Sequence, residues 1–339
     1  MADGNRHSEE PHNTNADTNQ PGSFSKRKRW IITGIVAGLI IVGLAIGLGV
    51  GLSNRNSSSS ESSSSPGSST SPESPSTTGA PSSTASIWQP AVGVKWQIVL
   101  RAPINETEID VPVYDIDLFE STASIITWAQ GQGRKVICYF SAGSYENWRP
   151  DAASFKPADY GNGLEGWEGE YWLNTSSVNA RNIMLARLDQ AAKKGCDGVD
   201  PDNIDGYENK SGLNLTTDTA VDFVTFLADA THHRNMSFGL KNGAKILSRV
   251  INLIQWNVVE QCLQYDECGN YQPVIDAGKP VFLIEYPTTE EKPSYVSDEK
   301  KNEICGSAKI PVGFSTVLKN MNLDEWIVQC PARTSGKRL

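Results

Sequence analysis

Eight short apolar segments recur along the chain, each ending in polar or charged residues: Trp96–Leu100, Val113–Phe119, Val136–Ser141, Gly198–Asn203, Phe238–Asn242, Trp256–Gln261, Val281–Tyr286 and Gly313–Leu318. Helical patterning falls between them. Ala180–Lys194 and Ala220–Ala230 set apolar and charged groups at helical spacing, and Ala244–Leu253 and Glu290–Ile304 do so more weakly. Strands that alternate with helices return by crossover connections, so they pair in parallel. Eight such units in about 250 residues match a (β/α)8 TIM barrel, an α/β fold whose C-terminal strand ends form one mouth and carry the reactive groups.

Residues 195–206 read GCDGVDPDNIDG, an apolar approach (Gly198, Val199) that runs into Asp200, Asp202, Asn203 and Asp205. A buried strand ending in several carboxylates is unfavourable unless it delivers them to a cleft. The blander reading is that they cap the next segment through turn hydrogen bonds. Other strand ends supply partners. The third offers Tyr139 and Ser141, followed by Glu146, Trp148 and Arg149; the fifth offers Lys241 and Asn242, the sixth Glu260, and the seventh Glu285 and Tyr286. Glycoside hydrolysis needs two carboxyl groups flanking the scissile bond, one to protonate the leaving oxygen and one to attack or to activate water. Asp202 and Glu260 close the fourth and sixth strands and are expected to face each other across such a mouth. Asp202 is therefore expected to do covalent chemistry on a sugar, with Glu260 as its acid/base partner and Asp200 in reserve. The segment after the third strand holds Trp148, Trp167, Tyr171 and Trp172. Exposed aromatic faces beside a cleft stack on sugar rings, whereas buried ones pack the core.

The formal charge of −9 falls entirely on one part of the chain: residues 1–86 hold six basic and six acidic residues, leaving 24 basic and 33 acidic in the rest. An acidic domain argues against a nucleic-acid partner and fits a neutral or cationic ligand. Four histidines, His7, His12, His232 and His233, leave little for a Ser-His-Asp triad or a His-rich zinc site. Carboxylate chemistry without metal or cofactor is the expectation. An EF-hand reading from Asp200 fails because Ile204 stands where an acid or amide is needed and Ser211 where a glutamate is needed.

The N-terminal quarter carries its own instructions. A polar tail (1–29) ends in the KRKR cluster Lys26–Arg29 and is followed by Trp30–Leu52, a run of 23 uncharged residues. At about 1.5 Å per residue that run spans a bilayer, and the basic flank predicts a cytosolic N-terminus. Residues 53–86 are rich in Ser, Thr and Pro and read as a disordered stalk. The expected protein is a single-pass type II plasma-membrane protein with a monomeric catalytic domain, residues 87–339, outside the cell. Sequons at Asn56, Asn105, Asn174, Asn209, Asn214 and Asn235 are candidate glycosylation sites. Six cysteines allow fifteen pairings. Cys262–Cys268 is local, Cys138–Cys196 would join neighbouring strands, and Cys305–Cys330 completes the preferred set.

VICYFSAGSYENWRPD (136–151), GCDGVDPDNIDGY (195–207), FGLKN (238–242), VVEQCLQYDEC (258–268) and GKPVFLIEYP (278–287) resemble glycoside hydrolase family 114, the endo-α-1,4-polygalactosaminidases. The resemblance covers roughly residues 88–330. It implies a barrel enzyme acting on galactosamine-rich polysaccharide with retention, Asp202 in the nucleophile position and Glu260 in the acid/base position. Tyr139, Ser141, Trp148, Trp172, Asp200, Asn203, Asp205, Lys241, Asn242, Glu285 and Tyr286 are the candidate substrate-binding residues. Glu146, Asp205 and Glu285 are candidate partners for a sugar ammonium. Two other readings stay open: a lumenal glycosyltransferase using Asp200-Pro201-Asp202 as a DxD motif, and a polysaccharide-binding barrel without catalysis.

Overall fold

The computed structural model describes residues 87–104, 110–288 and 295–333. The expected tail, membrane span and stalk, with Asn56 and Asn105, lie outside the described residues. Among the described residues no helix is long and apolar enough to cross a membrane. In chain order the elements are β1 (Trp96–Val99), β2 (Val113–Asp117), α1 (Ala123–Gly131), β3 (Lys135–Ser141), β4 (Ser144–Glu146), β5 (Tyr160–Gly163), β6 (Glu170–Leu173), α2 (Val178–Lys194) and β7 (Gly198–Asp202). They continue with α3 (Thr217–His232), β8 (Ser237–Lys241), α4 (Leu247–Val250), β9 (Trp256–Glu260), α5 (Gln272–Asp276), β10 (Val281–Glu285), α6 (Asp298–Cys305), β11 (Ser315–Lys319) and β12 (Ile327–Gln329).

All eight expected strands form, within two residues of their expected ends. They pair in parallel in the order β1-β2-β3-β7-β8-β9-β10-β11, and β12 adds antiparallel to β11. The fold is a barrel-like α/β sheet. Both faces of each strand are buried, as a helix-covered parallel sheet requires. One set of alternate residues packs against α1, α2 and α3; the other set, Trp96, Ile98, Val113, Ile137, Trp256, Val258, Phe282, Ile284 and Val317, forms a separate cluster inside the curve of the sheet. Trp256 fills that floor only because its neighbours lack side chains: a Cβ on Gly239 would sit 2.1 Å from Trp256 Nε1, and one on Gly198 2.5 Å from its ring. Side chains tie β1 to the far edge. Trp96 Nε1 donates to the Ser315 carbonyl (2.9 Å) and Lys319 Nζ to Gln97 Oε1 (2.9 Å).

The helices depart from the periodicity in length. Patterning over Ala244–Leu253 yields a single turn, α4, and the helix expected over Glu290–Ile304 occupies Asp298–Cys305 within the described residues. α2 is the best specified: Ser177 Oγ accepts from Ala180 N–H, and Gly195 at φ 87° ends the helix by donating to the Ala191 and Ala192 carbonyls. The segment between β3 and α2 folds as a three-stranded antiparallel sheet, β4-β6-β5, which periodicity did not foresee. It crosses the end of β7 so closely that a Cβ on Gly143 would lie 1.7 Å from the Asn203 carbonyl oxygen. Disulfides join Cys138–Cys196, Cys262–Cys268 and Cys305–Cys330, the preferred set. Of the described sequon asparagines, Asn214 and Asn235 are exposed and Asn174 and Asn209 half-buried.

Candidate active site

The inward-facing set on each strand changes character at its C-terminal end. Above the apolar floor it becomes Tyr139 (β3), Asp202 (β7), Lys241 (β8), Glu260 (β9) and, just past β10, Tyr286. Lys241 is 2% exposed, and its ammonium meets Asp202 Oδ2 at 3.0 Å and Glu260 Oε2 at 3.2 Å. Tyr139 Oη donates to Asp202 Oδ2 (3.1 Å), the Asn203 N–H to Asp202 Oδ1 (2.6 Å), and Tyr286 Oη to Glu260 Oε1 (2.5 Å). Both carboxylates keep a face in solvent: the side chain of Asp202 is 17% exposed and that of Glu260 25%. The two acids expected from the strand-end pattern are therefore brought together at one open end of the sheet.

The backbone leaves three successive strands in the same manner. Asn203 (φ 62°), Asn242 (φ 50°) and Gln261 (φ 57°) directly follow Asp202, Lys241 and Glu260 in left-handed conformation. Such conformations are uncommon for residues other than glycine and gather where a turn must aim a side chain. Here each exit is held. The Asp202 carbonyl accepts from Ala142 N–H (2.9 Å) and Gly143 N–H (3.0 Å), and Asn242 Oδ1 accepts from Glu260 N–H (3.0 Å). Asn203 Nδ2 donates to Ser141 Oγ (3.0 Å), starting a chain through Ser144 to Glu170 Oε2.

Burial opposes charge throughout this end, and the partners decide the outcome. Burial alone would raise Asp202, but Lys241 and the hydrogen bonds to its carboxylate hold it below the usual aspartate range. Burial would lower Lys241, but Asp202, Glu260 and Asp200 together raise it well above the usual lysine value. Glu170 is pushed up to about 7 by burial and by the charge of Glu146. Burial also pushes Glu285 up to about 7, against hydrogen bonds from the backbone of Leu263 and Gln264.

Not every expected contact residue reaches this opening. Trp172 is 2% exposed and packs its ring over Gly206, so it is a core residue, while Trp148, Trp167 and Tyr171 are exposed. Glu285 points away from the mouth, accepting from Leu263 N–H (2.7 Å), and Asp205, in the loop that follows β7, is buried. Glu146 is tied to Arg149 at 2.9 Å and is buried. These carboxylates are thereby committed inside the fold rather than offered to a sugar ammonium. Ser141 and Asp200 are buried behind Asp202. Sequence reasoning overlooked Asp115 and Asp117 on β2 and Arg187 on α2. Asp117 takes both terminal nitrogens of Arg149 (3.0 and 2.8 Å), and Arg187 reaches the Ser141 carbonyl (2.6 Å) and Asp151 (2.8 and 2.9 Å). Together they clamp the β4-β6-β5 excursion onto the mouth. The alternation in VYDIDLF would have put both β2 acids on the inward face.

The sequence matches the model of glycoside-hydrolase family GH114 over residues 77–335. Among curated proteins none matches it. Among solved structures it is similar to Aspergillus fumigatus Ega3, crystallised in complex with galactosamine, at 55% identity and a TM-score of 0.69 over 72% of this chain and 97% of that one. The glycoside hydrolase domain of PelA from Pseudomonas aeruginosa, at 14% identity and a TM-score of 0.57 over 69% of this chain and 98% of that one, shares the fold. The family match spans most of the chain and contains every residue of the Asp202–Lys241–Glu260 cluster: the protein belongs to glycoside-hydrolase family GH114 and is a glycoside hydrolase.

Proposed function

We propose that the domain is a (β/α)8 barrel that cleaves α-1,4-linked galactosamine polymers internally and with retention, Asp202 being the nucleophile and Glu260 first acid, then base. One observation carries the reading: two solvent-open carboxylates from separate strands are held on one ammonium. The triangle inequality keeps Asp202 Oδ2 and Glu260 Oε2 within about 6.2 Å, the sum of the two contacts. Retaining enzymes hold their carboxyl groups about 5–5.5 Å apart and inverting ones about 6.5–9.5 Å, leaving room for a water. In the first step Glu260 gives its proton to the glycosidic oxygen as Asp202 attacks the anomeric carbon, and the bond to the leaving sugar breaks. In the second, Glu260 takes a proton from water, whose oxygen displaces Asp202. A carboxylate has about four lone-pair positions. Tyr139 and Lys241 fill two on Oδ2 and the Asn203 N–H one on Oδ1, so an Oδ1 lone pair is left for attack.

The substrate class is supported by the galactosamine complex of the 55%-identical Ega3, by the concentration of the −9 charge in residues 87–339, and by the exposed rings of Trp148, Trp167 and Tyr171 on the excursion. A partly deacetylated galactosamine polymer is cationic and is drawn to such a surface. The DxD alternative loses ground because Asp200 is fully buried and is not presented beside Asp202. We propose further that residues 30–52 anchor the protein in the plasma membrane with a monomeric catalytic domain outside, and that Asn214 and Asn235 are among the glycosylated sequons. Retention in the membrane through alkaline carbonate washing and glycosidase-sensitive mass at those sites check these points.

The test is digestion of α-1,4-galactosamine polymer with product mass and anomer analysis. A ladder of oligomers with first-formed α-anomers is expected; monomer alone, β-anomers, or full turnover by Asp202→Asn would overturn the reading.

A further inference from the structure

Two acids lie one inward position below the reactive ends. Asp115 on β2 and Asp200 on β7 are both fully buried, and none of their four carboxylate oxygens meets a hydrogen-bond donor from the rest of the protein. Two ionised carboxylates cannot bond each other, and two buried charges without donors are far too unfavourable to persist. A single proton resolves both problems, because the protonated acid becomes the donor that lets its partner keep a charge. Burial and the neighbouring Asp200 raise Asp115 well above the usual range, and burial also raises Asp200 despite Lys241.

The charge left on the pair has an electrostatic consequence. Lys241 from β8, Asp202 on β7 itself and Glu260 from β9 all act on Asp200, and Tyr139 on β3 sits in register beside it. Glu260 in turn faces Lys241 and Tyr286, with Glu285 and Asp200 acting at longer range and Asp202 meeting the same ammonium. The ammonium that holds Asp202 low also touches Glu260 Oε2 at 3.2 Å, so a charge beneath Lys241 is felt by the whole rim. We propose that Asp115 and Asp200 are positioning residues that share one proton, and that their one remaining negative charge offsets Lys241 from beneath, so that the enzyme stays active to higher pH. The pair touches no substrate and acts through Lys241. This inference rests on the assignment of Glu260 as the acid.

Asn is a faithful mimic of a protonated Asp because it donates from the same place. In Asp115→Asn and Asp200→Asn one carboxylate remains beside one amide donor, so each single variant keeps the charge. The double variant Asp115→Asn/Asp200→Asn loses it. The expected pattern in kcat/KM against pH is an alkaline limb within a few tenths of a unit of wild type in either single variant, and lower by about one unit or more in the double variant. A limb that stays put in the double variant, or that moves as far in one single variant as in the double, overturns the proposal. Should the double variant not fold, infrared difference spectra of wild type against Asp115→Asn decide the matter. At a pH where ordinary carboxyls are ionised, wild type should show a protonated-carboxyl band that the variant lacks, and its absence overturns the proposal. Comparison within that pair of proteins cancels the contributions of Glu170 and Glu285. Glu260→Gln, assayed with an activated leaving group, separates the two claims. Loss of the alkaline limb there upholds Glu260 as the acid whatever the pair does; an unchanged limb removes that assignment and leaves the shared proton to be judged by the infrared band.

Discussion

The same strands build two unlike regions within a few residues. On β9 the inward positions run Trp256, Val258, Glu260; on β7 they run Gly198, Asp200, Asp202; on β8, Gly239 and Lys241. The floor is an interlock of a large ring and two glycines, and its stability comes from filled volume. The rim is a set of charges that stabilise one another only as a group, arranged around one ammonium. The lesson is that position along the strand, rather than the strand itself, sets the chemistry. A strand end faces solvent on one side only, so charges placed there escape part of the penalty they would meet two residues deeper.

The largest break in that comparison comes from removing an acid at the rim. Glu260→Gln should lower turnover of polymer by about 10²–10⁴-fold, the usual contribution of a general acid/base, while the melting temperature stays near wild type because no floor contact changes. Circular dichroism melts beside single-turnover rates check both halves. A loss of stability as large as the loss of rate would mean that rim and floor are one cooperative unit.

A pH series separates the regions without mutation, since the floor cluster contains no titratable side chain. Glu170 and Glu285, 7% and 3% exposed, have native values of about 7 against an ordinary 4.5. An acid that binds its proton more tightly when folded stabilises the fold fully below its unfolded value, and that contribution is lost as pH rises through the native one. Stability should therefore fall between about pH 4.5 and 7, by on the order of 3 kcal/mol per group. Asp202, held low, works in the opposite sense at acid pH, so calorimetric melting temperatures should peak in mildly acidic buffer. A flat or rising curve from pH 5 to neutrality would count against the buried placement of these two glutamates, and Glu170→Gln should flatten part of the slope.

Breaking the floor has a smaller effect and of the other kind. Gly239→Ala sets a methyl 2.1 Å from Trp256 Nε1 and should destabilise by about 1–3 kcal/mol, with kcat of the folded enzyme within a few-fold of wild type. Trp256→Phe opens room, so the double variant should recover part of the loss, a coupling that denaturant melts on all four proteins measure.

How much of this was legible before folding follows the same division. Asp202 and Glu260 could be read because each closes an apolar run, and an acid in that position has few explanations. Tyr139, Lys241 and Tyr286 were read for the same reason. The aromatic excursion was read only as a group. Trp172 and Tyr171 are adjacent and face opposite ways on β6, so alternation divides them once β6 is known to be a strand, but the glycines ahead of it, Gly166 and Gly169, read as a loop rather than as the turn of a hairpin. The clamp of Asp117, Arg149, Glu146 and Arg187 draws on β2, the excursion and α2, which meet only in the folded chain. Nor could the fit of Trp256 against Gly198 and Gly239 be read from three residues scattered over the sequence.

The smallest change sharpens the comparison within the rim itself. Tyr286→Phe and Tyr139→Phe remove the same atom, a hydroxyl donating to a carboxylate, but on opposite sides of Lys241. A neutral hydrogen bond contributes about 0.5–1.5 kcal/mol, so each variant should lose about tenfold or less in kcat/KM and keep its melting temperature within a degree or two. The consequence differs because one acid must start charged and the other must start protonated. In Tyr139→Phe the ionised Asp202, held low in part by that hydroxyl, loses a donor, so the acidic limb of the pH–rate profile should move upward. Tyr286→Phe touches only Glu260 and should leave the acidic limb in place. If Tyr286→Phe moved the acidic limb and Tyr139→Phe did not, the roles of Asp202 and Glu260 would have to be exchanged, even though every distance at the rim stayed the same.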